Sequence, residues 1–169
     1  GLVEAAVGVV PSGGGVKESY LRWHAHLGDW EQAAWKAWMN LGYAATGSSP
    51  ELASRMQYFR QDHDETVMNR DRLLPRAIQL VTEMAISYAP PKPPKAELAP
   101  VELAEKMAGF MQDGVDCGDF MPHDKTVAMQ IATIMVQSPD EDSHIDEDGF
   151  FARERAAFIR LAKTPETHA

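Results

Sequence analysis

Four prolines fill five consecutive positions, 90–94, and they limit the fold of this 169-residue chain more than any other feature. Proline has no backbone N–H and a fixed φ, so neither a helix nor a central strand continues through such a run. Residues 90–98 are therefore predicted to form a stiff polyproline linker. This linker separates an N-terminal part, residues 1–89, from a C-terminal part, residues 99–169.

Apolar residues at helical spacing predict that most of the chain is α-helical. Before the linker, helices are expected over 17–27, 30–45, 50–56 and 74–85. Gly28 and Asp29 separate the first two, and Ser49 caps the third with Pro50 in its first turn. After the linker, three more helices are expected, with Asp146 capping the last. Their apolar faces carry Leu103, Met107, Phe110 and Met111; Val127, Ile131, Ile134 and Met135; and Phe150, Ala157, Phe158 and Leu161.

The first ten residues have a different character. Residues 2–10 are apolar and rich in valine, and they run into Pro11, Ser12 and three glycines. This pattern predicts a short buried strand that ends in a glycine turn. A second short extended piece is expected over 66–68. The chain opens inside an apolar segment without a start methionine, which suggests a piece of a longer protein.

Composition excludes several classes of protein. The formal net charge is −9, so phosphates would repel the chain and a nucleic-acid partner is not expected. No apolar run reaches the roughly 20 residues that span a bilayer. Cys117 is the only cysteine, which suits a reducing cytoplasm, and it is expected to be a structural or surface thiol.

No metal site is predicted. The acidic loop 140–149 invites comparison with a calcium-binding loop, but His144 and Ile145 stand where a ligand and the essential glycine should be. His24 and His26 lie two positions apart on a predicted helix and therefore face different directions.

One segment carries chemical information. Residues 1–15 resemble the second signature block of the crotonase superfamily, which has an acid, a glycine, a proline and a glycine-rich turn at fixed intervals. The matching positions are Glu4, Gly8, Pro11, Gly14 and Gly15. The resemblance implies a fold that is mainly α over this chain: the second half of a crotonase-type α/β spiral core, then a helical C-terminal region.

Further segments are similar to one branch of that superfamily, in which a 3-hydroxyacyl-CoA dehydrogenase is fused to a C-terminal enoyl-CoA hydratase module. They are found at 67–69, 88–93, 154–161 and 164–167. The likeness implies a role in fatty-acid β-oxidation, with an acyl-CoA thioester as substrate. NAD would serve the dehydrogenase part, which this chain lacks, so no cofactor is expected here.

The resemblance also assigns roles to residues. Glu4 would be a catalytic carboxylate that handles the water added to a trans-2-enoyl thioester. The backbone N–H of Ser12 would help to hold that water, and Pro11, Gly13 and Gly14 would shape the turn at the substrate. The family's other catalytic glutamate and its oxyanion hole belong to an upstream block that is absent here. The missing N-terminal part of the parent is thus an expected partner, and the chain alone is expected to be inactive.

Two alternatives remain open. An isomerase of the same superfamily would use Glu4 to carry a proton between carbons, and this sequence does not distinguish it from a hydratase. A non-catalytic helical assembly module would instead use the tryptophan-rich helix from Trp30 to Trp38 as a subunit contact. A homo-oligomer is compatible with every one of these readings.

Overall fold

The computed structural model describes residues 2–60 and 62–168, and they are mainly helical. Eight α-helices are found in this part of the chain, with short 3₁₀ turns at Arg70–Arg72, before the fifth helix, and at Pro165–His168, after the last. The helices are α1 Leu2–Ala6, α2 Gly15–Leu27, α3 Trp30–Gly42, α4 Pro50–Arg55, α5 Leu73–Ala85, α6 Glu102–Cys117, α7 Pro122–Met135 and α8 Glu147–Leu161. None of the helices in the described ranges is long and apolar enough to cross a bilayer.

The chain divides into two compact units. Residues 1–46 and 94–169 form the larger unit, and residues 47–93 form the smaller one. The division at 93/94 lies within the predicted linker, where residues 88–95 contain neither helix nor strand. The first 46 residues belong to the same unit as the C-terminal helices, whereas the predicted division into 1–89 and 99–169 follows the family resemblance and remains a prediction.

Local signals in the sequence explain several helix boundaries. Gly28 ends α2 in the left-handed conformation at φ 71°, and the Asp29 carboxylate then accepts the N–H of Gln32 to begin α3. Ser49 Oγ accepts the N–H of Leu52 at the start of α4, which has proline in its first turn. Asp146 Oδ1 accepts the N–H of Gly149, at 2.8 Å, at the start of α8. The predicted caps Ser49 and Asp146 are confirmed, as is the predicted break at Gly28 and Asp29.

The core lies in the larger unit, where α2, α3, α6, α7 and α8 pack together. The predicted apolar faces of the last three helices supply much of it, including Met107, Ile131 and Leu161. Phe110 is only partly buried, and Phe158 is exposed. The indole N–H of Trp38 donates to the carbonyl of Ala128 at 2.8 Å and links α3 to α7.

The tryptophans of α3 pack within the larger unit. The Trp38 side chain is only 2% exposed. The Trp35 ring lies 5.3 Å from the Trp38 ring and 5.9 Å from that of Phe110, and the Trp30 ring stacks on His24. Most of the Trp38 surface is therefore used in contacts within this unit, and a subunit contact through this helix remains a prediction.

The predicted N-terminal strand is wrong. Residues 2–6 form helix α1, and Gly8 ends it at φ 81°. The N–H of Gly8 donates to the carbonyl of Ala5, and that of Val9 donates to the carbonyl of Glu4, which is a Schellman ending. A strand needs a neighbouring strand to satisfy its backbone, and none in the described ranges lies beside this segment. The described residues likewise do not show the spiral core implied by the resemblance.

Strands occur instead in two places predicted to be a linker and a loop. β1 (Ala96–Glu97) and β2 (His144–Ile145) form an antiparallel pair with Ala96 opposite Ile145. Residues 66–68, predicted to be extended, belong to no strand. The pair is too short for the alternation of apolar and polar residues by which strands are recognised in a sequence.

The smaller unit has an exposed apolar face. Helix α5 begins and ends close to the predicted positions, but its apolar stripe is not covered: Leu74 is 68% exposed and Val81 67% exposed. Among the described residues of 47–93, none is buried. This unit therefore has no core of its own to receive the stripe.

Candidate functional site

The glycine turn before α2 is tightly built. Pro11 and Gly14 are buried, and Gly13 and Gly14 have φ of 79° and 103°, in the region that favours glycine. A Cβ on Gly15 would lie 2.6 Å from the Cβ of Pro11, so only glycine fits there. The predicted turn is confirmed, and it delivers free backbone N–H groups to the start of α2.

Those N–H groups are occupied by a carboxylate from the other end of the chain. Glu154 of α8 is fully buried, and its two oxygens accept the N–H of Gly14 at 2.6 Å and of Lys17 at 2.9 Å. A helix N-terminus of this kind binds anions readily because its N–H groups and dipole are both favourable. Here the anion is part of the protein, and Glu154 acts as a remote cap for α2.

Burial raises the pKa of Glu154, although the hydrogen bonds from the backbone of Lys17 and Gly14 oppose the rise. The nearby Lys17 is itself buried, and its ammonium group pairs with Glu147 and, at 3.2 Å, with Glu18. Burial lowers the pKa of Lys17, but these hydrogen bonds more than offset it, so the net shift is upward. The Lys17 Nζ also lies 4.9 Å from the centre of the Phe151 ring. The positive charge of Lys17 is thus compensated within the protein.

Ser12 and Gly13 lie on the outer side of the turn. Both are exposed, and they border a depression of about 360 Å³ whose other walls are Phe151, Arg155 and Phe158. The structure therefore brings together two of the residues predicted to position water, at the surface and next to α8. The roles of Ser12, Gly13, Pro11 and Gly14 remain predictions.

Glu4, the predicted catalytic carboxylate, is half-buried on α1. A hydrogen bond from its own backbone N–H is the main reason why its pKa lies below the usual value. The group is therefore ionised at neutral pH, which suits a base that accepts a proton from water, while a lowered pKa also makes it a weaker base.

The residues directly after Glu4 border a large cavity in the larger unit. Ala5, Ala6, Val7 and Gly8 form one wall of a space of about 680 Å³, although Glu4 itself does not line it. The floor is buried and apolar, with Trp38, Met111 and Val127, whereas the rim is exposed, with Val7 at 59% and Tyr43 at 55%. The volume lies within the range of small-molecule sites, about 300–1,000 Å³.

A polar corner interrupts this apolar lining. His123 Nδ1 lies 3.7 Å from a carboxylate oxygen of Glu166, and its Nε2 is buried without a hydrogen-bond partner in the described part of the chain. Gly8 comes so close that an added Cβ would lie 3.3 Å from His123 Nε2 and 3.4 Å from Thr167 Oγ1. The Thr167 hydroxyl donates to the carbonyl of Gly8 at 3.4 Å. The first and last segments of the chain thus meet at this corner.

Sequence reasoning missed both Glu154 and the polar corner. For Glu154 a signal existed, because Phe150, Glu154, Ala157 and Leu161 follow one another at the spacing of a single helix face. An acid on an apolar stripe should have indicated a buried, partnered carboxylate. His123 offered no such signal, since it contacts residues more than 40 positions away.

Metal chemistry finds no support among the described residues, where no group of three or more His, Cys, Asp or Glu side chains could hold an ion. Cys117 is a free, exposed thiol at the end of α6.

Comparison with known proteins gives one informative result. The chain is 29% identical over 173 residues to a probable 3-hydroxyacyl-CoA dehydrogenase of Bacillus subtilis (strain 168). The alignment covers 100% of this chain and 22% of that protein, so the chain spans about a fifth of the relative's length. No family model matches the chain, and no solved structure matches it.

Proposed function

We propose that this chain is part of a larger fatty-acid β-oxidation enzyme and contributes the water-handling carboxylate, Glu4, to the hydration of trans-2-enoyl-CoA. The observation that carries the proposal is the likeness of the whole chain to a stretch of a probable 3-hydroxyacyl-CoA dehydrogenase. The dehydrogenase activity would oxidise the 3-hydroxyacyl product of hydration, so the two steps belong in sequence. The order of Glu4, Gly8, Pro11, Gly14 and Gly15 supports hydration as the earlier step.

The proposed chemistry requires one proton transfer at Glu4. The ionised carboxylate removes a proton from water as the water oxygen bonds to the β-carbon of the enoyl thioester. Electron density moves to the thioester oxygen, and a proton then arrives at the α-carbon to complete the addition. The donor of that proton and the groups that stabilise the thioester oxygen would come from outside this chain.

The position of Glu4 is compatible with this role. The carboxylate is half-buried and ionised, and it immediately precedes the four residues that wall the 680 Å³ cavity. An acyl chain held in that cavity would bring its thioester end towards the rim, where Val7 is exposed.

NAD, which the dehydrogenase step would use, does not fit the residues described here. Dinucleotides bind where a glycine-rich turn joins a parallel strand to a helix and presents free N–H groups to the pyrophosphate. In the described ranges, the glycine turn before α2 follows no strand, and its N–H groups are taken by Glu154. Any NAD site would therefore lie elsewhere in the larger enzyme.

The test is a hydration assay of the full-length protein that carries this sequence, following the loss of the conjugated thioester of crotonyl-CoA. Glu4→Gln keeps the size of the side chain but removes its basicity, and we expect the rate to fall by roughly 10²–10⁴-fold. Glu105→Gln is the matched control, because Glu105 is exposed on α6 and does not line the cavity. An unchanged rate for Glu4→Gln would remove Glu4 from the mechanism, and a wild-type protein without hydratase activity would refute the proposal as a whole.

A further inference from the structure

The 680 Å³ cavity has a lining that points to a particular kind of ligand. Trp38, Tyr43, Phe110 and Phe120 contribute aromatic surface, and ring contacts between them hold the walls in place. The Tyr43 and Phe120 rings, for example, lie 5.8 Å apart. The flexible thioethers of Met39 and Met111 also face the space and can adapt to a chain of carbon atoms. Such a surface favours an apolar occupant.

The Asp and Glu side chains that line the cavity give its wall a negative charge. Its lining includes the carboxylates of Asp119, Asp124 and Glu166 but no lysine or arginine. Asp124 already accepts the N–H of Met121 at 2.8 Å, and Glu166 lies beside His123. A negatively charged ligand would enter against these carboxylates without a cation to receive it. The repulsion between two like charges 4 Å apart is about 1 kcal/mol in water and about 4 kcal/mol near a protein surface.

We propose that this cavity binds an alkyl chain that ends in an uncharged polar group, and that it rejects the same chain when it ends in a carboxylate. The apolar chain lies on the floor formed by Trp38 and Val127. The uncharged end lies at the polar corner, where the buried Nε2 of His123 lacks a hydrogen-bond partner in the described part of the chain and the Glu166 carboxylate offers an acceptor. The chain of an acyl thioester would meet this description, but the inference rests on the cavity alone and does not require that Glu4 is catalytic.

The first experiment compares 1-decanol with decanoate at pH 8, with the 169-residue chain as the protein. Binding is followed by calorimetry and by tryptophan emission, since Trp38 forms part of the cavity floor and the Trp35 ring lies 5.3 Å from the Trp38 ring. We expect saturable binding of 1-decanol that is at least tenfold tighter than that of decanoate. Equal affinities, or tighter binding of decanoate, would overturn the proposal, as would no binding of 1-decanol.

A pair of matched substitutions locates the binding. Gly42 lines the cavity at the end of α3, and Gly109 lies on the exposed face of α6 away from it. An added Cβ meets nothing within 4 Å at either position, so Gly42→Leu and Gly109→Leu should both fold. We expect Gly42→Leu to weaken 1-decanol binding at least tenfold and Gly109→Leu to leave it unchanged. Equal effects of the two substitutions would place the ligand elsewhere.

Two further readouts keep the result unambiguous. If Gly42→Leu fails to fold by circular dichroism, Ala6→Leu takes its place, because Ala6 is an exposed member of the same lining. Sedimentation velocity of the free chain tests whether a second copy fills the cavity, and a dimer that dissociates when 1-decanol binds would refute the assignment to a small ligand. Hydration by the full-length protein is scored separately, so failure of either proposal leaves the other measurable.

Discussion

Replacing Glu154 with alanine should test whether a carboxylate from α8 holds the start of α2. The substitution leaves two buried backbone N–H groups, those of Gly14 and Lys17, without their acceptor. Each buried donor left unpaired costs about 1–3 kcal/mol, which gives roughly 2–6 kcal/mol for the two. Removing a buried carboxylate also relieves its desolvation, which offsets part of the loss. We therefore expect the free energy of unfolding to fall by about 2–4 kcal/mol, a large part of the 5–15 kcal/mol of an ordinary domain.

The pH dependence provides a second check of the same substitution. Burial raises the pKa of Glu154 in the folded chain, so its contribution to stability is fully present below the unfolded value of about 4.3. This contribution decreases as the pH rises through the folded pKa, because the unfolded chain then releases its proton more readily. The difference in stability between wild type and Glu154→Ala should therefore be largest in mild acid and smaller at pH 8.

Urea unfolding followed by circular dichroism between pH 4 and 8 measures both quantities. Glu105→Ala is the control, since it removes an exposed carboxylate from α6 of the same unit and should change stability by no more than about 0.5 kcal/mol. A loss below about 1 kcal/mol for Glu154→Ala would show that the carboxylate does not cap α2 as described. A difference from wild type that grows with pH would show instead that the hydrogen bonds to the ionised carboxylate outweigh its burial and lower its pKa.

Three more substitutions test features of the two units. Gly8→Ala forces a side chain into φ 81° and within 3.3 Å of His123 Nε2, so we expect a loss of about 2–3 kcal/mol in urea unfolding. Gly28 has a similar φ, but an added Cβ there meets nothing within 4 Å, so Gly28→Ala should lower the free energy of unfolding by only about 1–2 kcal/mol. Equal losses for the two substitutions would mean that the contact with His123 is unimportant. Val81→Asp lies on the exposed stripe of α5 and should change thermal stability by less than about 0.5 kcal/mol. A loss above about 2 kcal/mol, well beyond that expected at an exposed site, would reveal that something covers this stripe in solution.

The sequence predicts the helices well because their signals are local. Gly28 followed by Asp29 ends one helix and begins the next within two residues, and Ser49 with Pro50 starts α4 in the same way. Each boundary depends on backbone N–H and carbonyl groups within one turn of the chain, so a single sequence contains the necessary information.

Tertiary context decides the features that the sequence did not predict. The valine-rich residues 2–10 have the composition of a strand, but Gly8 closes a helix there, and no neighbouring strand in the described ranges competes for their backbone. The stripe of α5 has the spacing of a core helix, yet it is exposed because the described residues of its unit provide no covering surface. The candidate site shows the same limit: the turn at Gly13 and Gly14 was predicted, whereas the meeting of His123, Glu166 and Gly8 depends on how distant helices pack.

The glycine turn was predicted from the sequence, but the group that accepts hydrogen bonds from its backbone N–H groups was not. Glycines at a helix start favour any arrangement in which an anion meets free N–H groups, and a substrate oxygen, a phosphate or a side chain would satisfy them equally. In this chain Glu154 fills the position, so the turn's inward donors are committed to stability and only Ser12 and Gly13 face outward. Any catalytic contribution from this turn must therefore use its outer side. Glu154→Ala can separate the stabilising role of the turn from a catalytic one. The substitution should lower stability, but an added anion should bind the freed N–H groups less strongly than Glu154 does, because these groups are buried.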